Sequence, residues 1–257
     1  MCIIDSQNKK NIFPYFFSLK KEKGGAVLFY LGVCHSWDPA DQQFNFIKEK
    51  WVKFLKLATN PLAIVESRKW KAYNTEAESI LKGGEIDFMA YLCHQAGVPV
   101  ICFEPDRGKE MDVLLRQFCK EEIAYYYFAR TISQWYRLKQ KPDINFYLSS
   151  FLQYHKGASK WDDFKFSIEN MKKIHKHFFK IELDFDDINF FKKIENPMRE
   201  DNPCKNVVRA SRKYREQAII DGIKNAWSQG KDPFVVYGKG HARDHEKILR
   251  DYQLLNL

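Results

Sequence analysis

No stretch of this 257-residue chain reaches the roughly 20 consecutive apolar residues that a membrane-spanning helix needs. The opening stretch, MCIIDSQNKKNIFPYFF, has only a very short apolar run, with its lysines on the wrong side for a signal peptide. A cytoplasmic protein is expected. Cys2, Cys34, Cys93, Cys102, Cys119 and Cys204 are scattered and form no C-x-x-C pair. That pattern favours reduced, mostly buried thiols over a disulfide frame, with Cys34 read as a small residue that suits a turn. The net charge is +9, and ten Lys or Arg against four Asp or Glu lie between Arg137 and Lys180. No helix-turn-helix, zinc-finger or RNA-binding signature accompanies this charge, so a nucleic-acid partner is not expected. The basic stretch reads as a solvated helix face, with electrostatic binding through it as an alternative.

What is present describes a globular α/β chain. Hydrophobic residues make up 45%, charged residues 29% and aromatics 16%, ordinary for a folded domain apart from the many rings. GGAVLFYLGVCH, PLAIVE, VPVICFEPDR and DPFVVYGKGH are unalternating apolar runs of the kind buried on both faces of a parallel sheet. Helical periodicity separates them. Phe44, Ile47, Trp51, Phe54 and Leu55 recur after Pro39, with Asp38 as the expected cap. TEAESILKGGEIDFMAYLCHQAG reads as a helix with a Gly-Gly break that ends at Gly97. The fold class expected is a mainly parallel sheet flanked by helices. Residues 1–110 and 199–257 form its core, and 111–198 a helical insert capping the strand-end rim.

Two G-x-x-H turns stand out, Gly32 to His35 and Gly238 to His241, each after an apolar run. Side chains at the carboxyl ends of parallel strands converge on one rim, where open α/β sheets bind ligands. His35, Glu66, Glu104 and His241 all follow such runs. The two glycines are expected to permit a sharp exit from the strand and, lacking Cβ atoms, to leave room beside the imidazoles. Two imidazoles and a carboxylate form a common divalent-metal shell, so His35, Glu66 and His241 are the candidate ligands, with Glu104 as a further ligand or base. The same residues could instead work without metal, with Glu orienting His. His94 reads as a core or surface residue, and His175 and His177 as residues of a solvated helix. His245, one turn beyond His241, could complete an H-x-x-x-H pair but is expected to be exposed.

The paired G-x-x-H motifs with a strand-end Glu between them resemble the TraB/PrgY–TIKI superfamily, which includes erythromycin esterase-like and ChaN-like proteins. The similarity covers residues 24–107 and 207–255. It implies catalytic roles for His35, Glu66 and His241, and makes Glu104 and Arg107 candidates through EPDR. YREQAII resembles the family's Arg-plus-acid helix and implicates Arg215 and Glu216. The first motif departs from the esterase-like branch, since Val33 and Cys34 stand where that branch favours an acidic residue. The resemblance implies a hydrolase acting on a peptide or ester in a small-molecule or peptide substrate, with manganese, cobalt or zinc. A non-catalytic module that binds a ligand, haem among the options, is the alternative.

Overall fold

A computed structural model describes residues 14–21, 25–138, 140–195, 199–200, 202 and 204–255. Cys2, the start of the chain and the expected insert end at 198 lie outside them. The chain divides into two compact units, residues 1–104 with 216–257, and residues 105–215. The first holds strands β1 (Tyr15–Lys20), β2 (Val27–Val33), β3 (Pro61–Val65), β4 (Val100–Ile101) and β5 (Asp232–Gly238). It also holds helices α1 (Gln42–Leu55) and α2 (Glu76–Ala96). The second holds α3 (Arg107–Leu114), α4 (Lys120–Tyr136), α5 (Ile144–Ser159), α6 (Ile168–Phe179) and α7 (Ile188–Glu195). The boundary falls within α8 (Lys205–Ser228), and α9 (Lys239–Leu255) returns to the first unit.

The sheet order is β1-β2-β5-β3-β4. β2, β5, β3 and β4 are parallel, and β1 adds an antiparallel edge, so the expected mainly parallel α/β sheet is present. The edge strand YFFSLK was not foreseen; only Phe17 and Leu19 of it are buried. Alternation sorts the central strands into two faces. Phe29, Leu31, Ala63, Val65, Phe234 and Val236 pack against Phe44, Trp51, Phe54 and Phe88 of α1 and α2. Leu28, Tyr30, Ile64, Val235 and Tyr237 pack against Ile219, Ile223 and Trp227 of α8 and Ala242 and Leu249 of α9. Both faces are covered, which is why the strands read as continuous apolar runs.

Three details differ from the sequence reading. The cap of α1 is Asp41, whose carboxylate accepts from the Gln43 N–H, not Asp38. β4 is only two residues long, so Glu104 sits three residues beyond its end. His175 is buried and bonds the Tyr125 hydroxyl through Nδ1 at 2.6 Å; His94 and His177 are exposed. The Gly-Gly break in α2 is present, with Gly84 at φ 62°.

At the amino ends of the strands, the buried Asp232 carboxylate accepts from the backbone N–H of Val27 at 2.7 Å, Thr59 at 2.8 Å and Asn60 at 2.7 Å. It ties the start of β2 and the turn into β3 to the first residue of β5. The second unit is helical throughout its described elements, built on rings and aliphatics such as Phe128, Leu148, Met171 and Phe191.

Candidate functional site

β2 and β5 are parallel neighbours with Val33 opposite Gly238. His35 and His241 therefore leave the sheet at the same carboxyl end, and Glu66 follows β3, on the other side of β5. α9 begins directly after Gly238. Its helical period puts His241 and His245 four residues apart on one face, and that face meets Glu216 of α8. Glu216 Oε2 lies 2.8 Å from His241 Nδ1 and 2.6 Å from His245 Nε2. The far nitrogen of each ring is also engaged. His245 Nδ1 meets the Tyr30 hydroxyl at 2.8 Å, and His241 Nε2 faces Glu66 Oε1 at 3.6 Å. Glu66 is itself anchored, because its Oε2 accepts from the Gly238 N–H at 2.8 Å. The result is a continuous polar chain, Glu66–His241–Glu216–His245–Tyr30, from the rim down to a buried tyrosine.

Its electrostatics follow from that geometry. Burial opposes the charge on Glu66, but the His241 hydrogen bond, the positive imidazoles and the Gly238 N–H hold its pKa down at about 2. A carboxylate held that low is a weak proton acceptor near neutral pH, which suits it to orienting His241 more than to general-base work. Glu216 is lowered further: burial resists, and its bonds to His241 and His245 prevail. Burial lowers His241, yet the Glu216 and Glu66 carboxylates raise it to about 9. Burial, followed by the charges of Glu216 and Glu66, drives the Tyr30 hydroxyl upward.

The expected residues separate. Glu66 and His241 meet. His35 is half exposed and its Nδ1 is bound by the buried Glu85, which raises its pKa against the cost of burial. The His35 charge acts on Glu66. The carboxylate of Glu104 acts on Tyr30 and Tyr237 from the same end, while its carbonyl accepts from Arg68. Arg107 and Arg215 belong to the helical unit. Among the described residues, the His, Cys and acidic side chains close enough to share one ion are Glu216, His241 and His245, with ligand atoms within 4.8 Å. Of the expected set His35, Glu66 and His241, only His241 belongs to that group. The donor set fits a divalent ion, since each ring has its second nitrogen fixed by a hydroxyl or faced by a carboxylate, as metal-bound imidazoles usually do.

Sequence reasoning missed three residues. His245 is fully buried, not exposed; its i, i+4 spacing from His241 was the available signal. Glu85 follows the glycine break that turns the chain toward His35, and Tyr30 carried no signal within its apolar strand. Cys34 is also not the reduced thiol expected, because it is disulfide-bonded; Cys93, Cys102, Cys119 and Cys204 are free.

Gly238 leaves room beside the His241 ring, as expected, but neither motif glycine is needed for the strand exit, since neither has a positive φ. A Cβ on Gly32 would lie 2.6 Å from the Ala242 Cβ, so only glycine lets the first turn of α9 rest on β2. A Cβ on Gly238 would lie 3.3 Å from Glu66 Oε2 and 3.7 Å from His241 Cδ2. Gly238→Ala should therefore cost little, and Gly238→Val should displace Glu66 and weaken metal affinity about tenfold or more. Equal affinities for both variants and the parent, measured by calorimetry, would remove the close-approach role.

No family model, curated protein or solved structure matches the chain. Among the described residues no helix is long and apolar enough to cross a membrane.

Proposed function

We propose that the chain is a metal-assisted hydrolase of peptide or ester bonds, of TraB/TIKI-like type, acting at the carboxyl rim of its parallel sheet. The observation that carries this reading is the Glu216–His241–His245 cluster, in which His245 is buried, Glu216 and His241 are half-buried, and His241 faces Glu66. Glu216, His241 and His245 would hold the ion. A divalent ion bound there supplies Lewis acidity toward a carbonyl oxygen and activates water near neutral pH. The chain's own groups do the rest. Tyr30 fixes the His245 ring through Nδ1, and Glu66 orients His241 while held by the Gly238 N–H. His35, poised by Glu85 and half exposed, is placed to exchange a proton with a substrate or leaving group at the rim. Glu104 adds negative charge at the same end.

The test is calorimetric titration of metal-stripped protein with manganese, cobalt and zinc, followed by peptide and ester hydrolysis assays with whichever ion binds. Tight 1:1 binding and ion-dependent turnover that falls in His35→Gln are expected. Absence of binding by all three ions would overturn the metal assignment, and binding without turnover on either class would overturn the hydrolase.

A further inference from the structure

The helical unit contains a second polar cluster, independent of the rim. Arg107 stands at the start of α3, Tyr127 and Arg130 on α4, and His155 on α5. The Tyr127 and His155 rings stack with centroids 5.1 Å apart, and the Arg107 guanidinium lies 4.3 Å from the Tyr127 ring centre. Gly108 allows this convergence, since a Cβ there would lie 2.4 Å from the Ala158 carbonyl oxygen.

Four buried polar atoms of this cluster, Arg107 Nε, Tyr127 Oη, Arg130 Nη1 and His155 Nδ1, make no hydrogen bond of good geometry, although the Arg107 guanidinium lies close enough to the Tyr127 hydroxyl for the two to act on each other. Tyr127 is 2% exposed and His155 5%. Buried polar groups are almost always satisfied, and an orphan is costly, so four on neighbouring residues of three helices point to a missing partner. Its charge can be read from the surroundings. Glu110 answers Arg107 through Nη1 at 2.6 Å, but its other oxygen is taken by Ser211. After burial, the charges acting on His155 are those of Arg107 and Arg130, both positive, and together they hold its ring neutral down to about 3. Water could satisfy hydrogen bonds there but not balance the charge.

We propose that Arg107, Tyr127, Arg130 and His155 form a binding site for a small oxyanion, the phosphate or carboxylate group of a small ligand. Guanidinium forks match such groups with paired, charge-assisted bonds. The Tyr127 hydroxyl and the neutral His155 ring supply further donors. The site neither requires the rim metal nor shares a residue with it.

The experiment is thermal unfolding and calorimetry of the full chain with inorganic phosphate in one arm and succinate in the other, at matched ionic strength with chloride as control. Binding by one or both anions, with a Kd of about 1 mM or tighter, is expected; the stronger arm identifies the chemistry. Arg130→Met should reduce that affinity at least tenfold while raising the melting temperature of the anion-free chain, because it removes a half-buried cation whose Nη1 is buried without a partner. Tyr127→Phe should weaken binding less and keep the fold. A residue that merely packs would lower the melting temperature and leave anion affinity alone. No binding of either anion at about ten times that concentration, or affinity unchanged in both variants, would overturn the proposal.

Discussion

Glu216→Gln is expected to lower divalent-metal affinity by at least about 100-fold and to abolish ion-dependent turnover. Its Oε2 is the atom on which the His241 and His245 rings converge. Glutamine keeps the shape but loses the charge, and loss of even an outer partner at metal sites typically costs 10–100-fold. His245→Ala should match it, although the sequence pattern suggests an expendable exposed residue. Tyr30→Phe removes only the hydroxyl that fixes His245 and should fall in the 10–100-fold range. Calorimetry on variants with the parent's circular dichroism spectrum checks the series. Parent-like affinity in Glu216→Gln would show that the cluster is a structural hydrogen-bond chain and not a metal centre.

Asp232→Ala is expected to have the largest effect on stability, about 3–5 kcal/mol, lowering the melting temperature by roughly 10 °C. Three backbone N–H groups lose their acceptor at once, and the residue is fully buried. Asp232→Asn should recover part of the loss, since the amide oxygen still accepts. Metal affinity of the folded fraction should be unchanged, because Asp232 lies at the amino end of β5 and His241 follows its carboxyl end. Denaturant unfolding with both variants separates this outcome from a mild loss, which would show that the loops hold themselves.

Much of the fold was legible. The central parallel strands β2, β5 and β3 announced themselves because they are buried on both faces, so VLFYLGV and DPFVVYG carry no polar alternation. The Gly-Gly break in α2 and the Gly97 cap were legible because glycine is the residue that takes positive φ without strain, as Gly84 and Gly97 do. β1 was not, because six residues with two buried side chains give too little periodicity. For the site, the G-x-x-H repeats drew attention to the sheet end where His241 joins the Glu216 and His245 cluster. The room that Gly238 leaves beside His241 was legible too, whereas the backbone role expected of both glycines is not needed, since neither takes a positive φ.

The sequence by itself determined the α/β class, the burial of the central strands and the placing of His35, Glu66 and His241 beyond strand ends. These depend on local periodicity and on the geometry common to parallel sheets. Only the tertiary structure decided which of them meet. Glu216 and His245 lie 29 residues apart, and Tyr30 and His245 lie 215 apart. They come together because α8 and α9 pack on the same face of the sheet, a choice made by Ile219, Ile223, Trp227 and Leu249 filling one core with Tyr30 and Tyr237. Local patterns report which side of an element is apolar; which polar groups then face each other is set by packing between distant segments.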